Sequence, residues 1–274
     1  MKKILIAFDG NNFSEGAFSF AKELNKLEPV LVTAVFVPQL DIADLWSYTA
    51  SMAGPIVVPA GPDTEEQQRV KTNMKKFMDL CRQNKMACTV HEAYYGPAMA
   101  ELKKETRFAD LLIIGGELFY QAGEQGVNDY LKEILKDSEC PILVVPEAYN
   151  FPQSNVLTYD GSASSVYAIK QFAYLFPELC KNPSLLIYME EEEDESIPET
   201  VKIRELVSQH YLNLQLLKID KNRKEFFRMW ITEKEKGIII SGSFGRSAIS
   251  LMFRKSFVTD IIQEHQLPVF IAHR

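Results

Sequence analysis

The chain states one pattern twice, and that repeat limits its possible folds more than any other feature. The segment KILIAFDGNNFSEGAFSFAKEL, from Lys3, matches NVLTYDGSASSVYAIKQFAYL, from Asn155. Asp9-Gly10 falls on Asp160-Gly161, Ser14 on Ser165, Ala17 on Ala168 and Leu24 on Leu175, without a gap. Further on, DLLIIGG from Asp110 falls on GIIISGS from Gly237, and CPILVV from Cys140 on LPVFIA from Leu267. The chain is therefore read as two copies of one domain, 1–148 and 152–274. The offset is 151 residues at the front of each copy and 127 at the back, so the first copy carries 24 more. These fall in 38–64, where Pro and Gly interrupt any regular period. A loop that long is a lid, an interface or another functional segment; Trp46 and Tyr48 within it cover something, or belong to an exposed hinge or a partner contact.

Within each copy short β-branched runs alternate with helix-like segments. In the first the runs are 4–8, 29–37, 87–94, 111–115 and 141–145; in the second NVLTY, SLLIYM, NLQLLKI, GIIIS and PVFIAH. Apolar strands separated by amphipathic helices predict a parallel sheet covered on both faces, hence an α/β architecture repeated in tandem.

Length and composition agree with two soluble domains. The 274 residues are 46% hydrophobic and 24% charged, enough to bury a core. A net charge of -7 supplies no field that would gather nucleic acid or an anionic membrane, so any anion site is local. The apolar run after the two N-terminal lysines is too short for a signal peptide, and no run approaches a membrane span, so a cytoplasmic location is expected. Cys81, Cys88, Cys140 and Cys180 have neither CxxC nor zinc spacing, and His91, His210, His265 and His273 are scattered. No metal site and no catalytic residue is expected. The acidic run MEEEEDES, 189–196, reads as a solvated helix entrance.

In an open doubly wound sheet ligands bind beyond the carboxyl ends of the strands, where strand order reverses. For an order 3-2-1-4-5 that crevice lies between the first and fourth strands. It brings Asp160 and Gly161 toward the stretch SGSFGRS, 241–247, in the second copy. Glycines there let a backbone turn tightly or approach phosphate closely, although a plain turn needs them equally. Strand one runs into DGN or DGS rather than GxGxxG, and no GxxxxGK[ST] occurs. Asp9 and Asp160 serve either a ligand or the next helix as caps.

At these residues the sequence resembles the universal stress proteins, over nearly the whole chain and once in each half. Nucleotide-binding members of that family carry glycine-x-x-glycine, nine residues, then glycine and serine or threonine after the fourth strand. Here the second half reads Gly242, Ser243, Phe244, Gly245, nine residues from Arg246 to Arg254, then Lys255 and Ser256. The GRS ending at Ser247 and CPILVVP in the first half also look like the family. The resemblance implies two Rossmann-like domains of the adenine nucleotide alpha hydrolase type, each a five-stranded parallel sheet of order 3-2-1-4-5. It implies ATP or another adenine nucleotide, with or without magnesium. Asp160 would lie near adenosine, Gly242 and Gly245 near ribose and phosphates, and Ser256 at phosphate. It further implies a non-enzymatic sensor that pairs its halves through their last strands as an internal pseudo-dimer, leaves a further homodimer open, and answers to an unidentified protein partner.

Two departures matter. Lys255 stands where the family has glycine; its side chain would block phosphate, or its ammonium would bind it with Arg246 and Arg254. The same basic residues also suit a solvated loop. In the first half Gly115 and Gly116 are followed by Glu117 and Leu118, with Asn128 and Asp129 on Lys255 and Ser256. Added negative charge repels phosphate by about 4 kcal/mol for a pair 4 Å apart at an effective dielectric of 20. The first site, around Asp9, Gly115 and Gly116, is read as degenerate. The competing readings are a protein-interaction module that binds no nucleotide, and an ATP-using enzyme on a related α/β scaffold.

Overall fold

The computed structural model describes residues 1–9, 12–37, 64–92, 98–116, 134–189, 196–219, 236–242 and 267–273. Ten strands lie in one sheet: β1 (Lys2–Asp9), β2 (Val30–Val37), β3 (Ala87–Glu92), β4 (Leu111–Gly115), β5 (Ile142–Val145), β6 (Ser154–Tyr159), β7 (Pro183–Met189), β8 (Asn213–Ile219), β9 (Gly237–Ser241) and β10 (Val269–Ile271). Their order is β3-β2-β1-β4-β5-β10-β9-β6-β7-β8. Every pairing is parallel except that between β5 and β10, where Val144 faces Val269 and Ile142 faces Ile271.

The sequence repeat is also a repeat of register. Ile6 faces Ile113 where β1 meets β4, and Leu157 faces Ile240 where β6 meets β9. The same holds for Leu112 beside Ile142 and Ile239 beside Val269. Each of these pairs is carried onto its counterpart by the offsets of the repeat.

The α-helices include α1 (Glu15–Leu27), α2 (Thr64–Gln83), α3 (Ala98–Arg107), α4 (Ala163–Leu175) and α5 (Thr200–Ser208). Helix α1 starts where Ser14, in extended conformation, accepts the Ala17 N–H at 3.1 Å. It buries Ala17, Phe20, Ala21 and Leu24, the spacing of one helical face. Helices α1, α2, α4 and α5 bury Phe20, Phe77, Phe172 and Val207 in a cluster with alternate strand residues such as Ile4, Ile6, Ile113 and Ile240. The intervening residues Leu5, Leu112, Ile114 and Ile239 are also buried, as is Leu102 of α3. Strands covered on both faces read as near-continuous apolar runs, and the Ile, Leu and Val side chains of β4, β5 and β9 are all buried. Each such side chain contributes about 1.5–3 kcal/mol.

The segment after β5 does not leave the surface of α1. The Phe20 ring lies 5.6 Å from that of Tyr149 and 5.1 Å from that of Phe151. On α4, Phe172 makes an edge contact with Phe270 of β10 at 5.3 Å. No helix among the described residues is long and apolar enough to cross a membrane.

Candidate functional site

The carboxyl ends of β6 and β9 lie side by side, and the chain leaving each meets the start of α4. Strand β6 ends at Tyr159; the exposed Asp160 follows and accepts the Ser162 N–H on Oδ1 at 2.9 Å. This is an Asx turn, and it answers the alternative left open by the sequence: Asp160 shapes the entrance to α4 without capping it. The cap is Ser162, whose Oγ accepts the Ser165 N–H at 3.1 Å, while the Ser165 hydroxyl donates to the Ser162 carbonyl at 2.9 Å. Since Ser14, the cap of α1, corresponds in sequence to Ser165, helix α4 begins three residues earlier in the repeat than α1 does.

Gly161 has a positive φ of 79°, which a side chain disfavours, and a methyl group on it would lie 2.9 Å from Pro198 Cβ. The residues just before α5 are held beside the end of β6, where the Tyr159 hydroxyl donates to the Pro198 carbonyl at 2.9 Å. Burial, followed by the charges of Glu199 and Asp160, holds the Tyr159 phenol above its ordinary range. Glu199, itself left-handed at φ 49°, pairs with Lys202 at 2.6 Å. Pro198, Glu199 and Lys202 were not singled out from the sequence, because they follow an acidic run that reads as solvated.

From the other side, β9 delivers the buried Gly242 onto Ser164 and Ser165. Asp160, Gly161 and Gly242 are thus gathered at one helix start. Ser243, Gly245, Arg246, Ser247, Lys255 and Ser256 lie outside the described residues, as does the 38–63 part of the insertion with Trp46 and Tyr48.

The corresponding place in the first half is built differently. Asp9 ends β1 opposite Val37. Gly115 ends β4, and Gly116 continues its ladder by donating its N–H to the Val145 carbonyl at 2.8 Å. A methyl group on Gly115 would lie 2.6 Å from the buried Ser14 Oγ and 3.3 Å from Glu147 Oε1. Glu147 follows β5, and its Oε2 accepts the Gly16 N–H in the first turn of α1 at 3.0 Å. Its Oε1 is buried and finds no hydrogen-bond partner among the described residues. The sequence reading passed over Glu147, although the 127-residue offset that sets Gly115 on Gly242 also sets Glu147 on Arg274, a charge reversal legible in the repeat.

No cluster of three or more His, Cys, Asp or Glu able to hold a metal ion occurs among the described residues. Among the thiols, burial pushes Cys140 and Cys180 up to about 12, so neither is a nucleophile at neutral pH.

No protein-family model and no curated protein matches the sequence. The fold does match. A universal stress protein from Archaeoglobus fulgidus DSM 4304 superimposes with a TM-score of 0.70 at 13% identity, covering 100% of this chain and 96% of that one. The fold is that of the universal stress proteins. A proposed universal stress protein from Pseudomonas aeruginosa UCBPP-PA14 gives 0.55 at 9% identity, covering 100% of this chain and 93% of the other. A functionally unknown protein from Pseudomonas aeruginosa PAO1 gives 0.54 at 11%, covering 100% and 92%. The universal stress protein fold therefore extends over both halves of the chain. At these identities the likeness is one of backbone, and the site has to be argued from its own residues.

Proposed function

We propose that the chain works as a universal stress protein: a non-catalytic module that binds ATP or another adenine nucleotide in its second half and passes occupancy to a protein partner. The observation that carries this reading is the meeting of Asp160, Gly161 and Gly242 at the start of α4, between the ends of β6 and β9. Ligands of doubly wound sheets bind at such a crevice. Asp160 keeps an exposed carboxylate there, an acceptor suited to a hydroxyl or amino donor of a nucleoside. The sequence that continues from Gly242 supplies Gly245, Arg246, Lys255 and Ser256 for the phosphates. Magnesium would enter with the phosphates.

On this reading 1–148 and 152–274 are two domains of the cytoplasm, and the antiparallel β5–β10 pair is what supports treating them as an internal pseudo-dimer. An ATP-using enzyme on a related scaffold would need a metal-binding acid pair or an SGGxDS-like loop after strand one, and the sequences there, DGNNFS and DGSASS, supply neither.

The test is the melting temperature of the protein against ATP and AMP with magnesium, for wild type and Gly245→Leu. A ligand selective for the native state stabilises by about 2.7 kcal/mol at 100 times its dissociation constant. A saturable rise that Gly245→Leu abolishes supports the reading. No rise at millimolar nucleotide overturns it in favour of an interaction module built on the 38–64 insertion.

A further inference from the structure

We propose that Glu147 is the residue that bars anionic ligands from the first half, because its carboxylate already occupies the place an incoming phosphate would take. Three observations converge. The carboxylate is anchored in the first turn of α1, with the Gly16 N–H on Oε2 at 3.0 Å. That is where backbone donors and the helix dipole hold anions. Its other oxygen, Oε1, is buried without a partner among the described residues and faces the end of β4, 3.3 Å from where a side chain on Gly115 would begin. The position is also enforced from behind: a methyl group on Gly16 would overlap the Pro146 carbonyl and approach Glu147 Cα to 2.9 Å, so the chain leaving β5 is pressed against α1.

The arrangement is not imposed by the fold. In sequence, the 127-residue offset that aligns the two β4-type strands pairs Glu147 with Arg274, which lies outside the described residues. One copy of the repeat thus carries its own anion at this position and the other carries a cation. A buried carboxylate oxygen left without a donor is costly, and such exceptions ask for a reason other than stability. Exclusion of phosphate supplies one: an anionic ligand would have to displace Glu147 from Gly16 or sit beside a like charge in a poorly solvated crevice.

The inference does not depend on the second half binding nucleotide, and the experiment reads the halves separately. Uniformly ¹⁵N-labelled protein is titrated with inorganic phosphate and with AMP, following the Gly16 amide for the first half and the Gly161 amide for the second. In the wild type Gly16 should stay unmoved by either. In Glu147→Ala it should shift saturably, with phosphate bound at least tenfold more tightly than in the wild type. Glu147→Ser, which keeps a small polar side chain at the chain crossing, serves if the alanine variant does not fold. If Gly16 responds equally in wild type and variants, or is silent in all of them, the proposal is overturned. The Gly161 response bears only on the nucleotide reading of the second half.

Discussion

Gly242 is pressed so closely on Ser165 that a methyl group at Gly242 would overlap the Ser165 amide and the Ser164 carbonyl. The neighbour is backbone of a helix that cannot swing aside, in contrast to the end of a flexible side chain. This glycine is therefore required by the packing of β9 against α4 whether or not a nucleotide binds. Gly242→Ala should destabilise the protein by about 1–3 kcal/mol in urea unfolding, the usual cost of overpacking a close contact. Stability unchanged within a few tenths would show that α4 moves freely off β9. For the same reason Gly242→Ala is a poor probe of ligand binding.

Gly161 makes a second, separable prediction. Its φ of 79° costs a side chain about 1–2 kcal/mol, and the contact with Pro198 adds to this. Gly161→Ala should lose stability by that amount or more. Combining it with Pro198→Gly, which removes the Cβ and Cγ that the added methyl would meet, should recover only the contact in a double-mutant cycle, because the backbone strain at Gly161 stays. Full recovery would mean that the left-handed turn itself carries no cost.

The two helix caps differ in exposure, and their removal should differ accordingly. Ser14 is fully buried and accepts the Ala17 N–H, whereas Ser162 is exposed and accepts the Ser165 N–H. Ser14→Ala leaves a buried donor without water to replace its partner, and should cost about 2 kcal/mol. Ser162→Ala should cost about 1 kcal/mol or less. Equilibrium denaturation of both variants checks the ordering.

Arg107 and Glu139 form a forked pair, Nε to Oε2 at 2.7 Å and Nη2 to Oε1 at 2.8 Å, tying the end of α3 to the segment before β5. The guanidinium holds the Glu139 carboxyl below its ordinary range, against a smaller opposing effect of desolvation. Because the folded pKa lies under the unfolded one, the pair's contribution is present above the ordinary carboxylate range and is lost as pH falls through the depressed value. In Arg107→Gln the carboxyl resonance of Glu139 should titrate in the ordinary range. The stability difference from wild type should vanish at low pH. An unshifted titration would show that the pair does not persist in solution.

The sequence by itself determined the repeat, the parallel α/β class and most of the strands, since each follows from local periodicity and from apolar runs that have no solution other than burial on both faces. It also brought Asp160, Gly161 and Gly242 together, but only once a strand order of 3-2-1-4-5 was granted. Only the tertiary structure decided what those residues do there. Asp160 turns toward Ser162, two residues on, but Gly242 owes its lack of a side chain to a helix nearly eighty positions earlier in the chain. Glu147 reaches Gly16 across 131 positions, a contact no window of sequence contains. Periodicity reports what each element buries against the sheet. Which groups meet at the ends of the strands depends on where the chain crosses back, and that is fixed by the packing of α1 and α4 against strands far away in sequence.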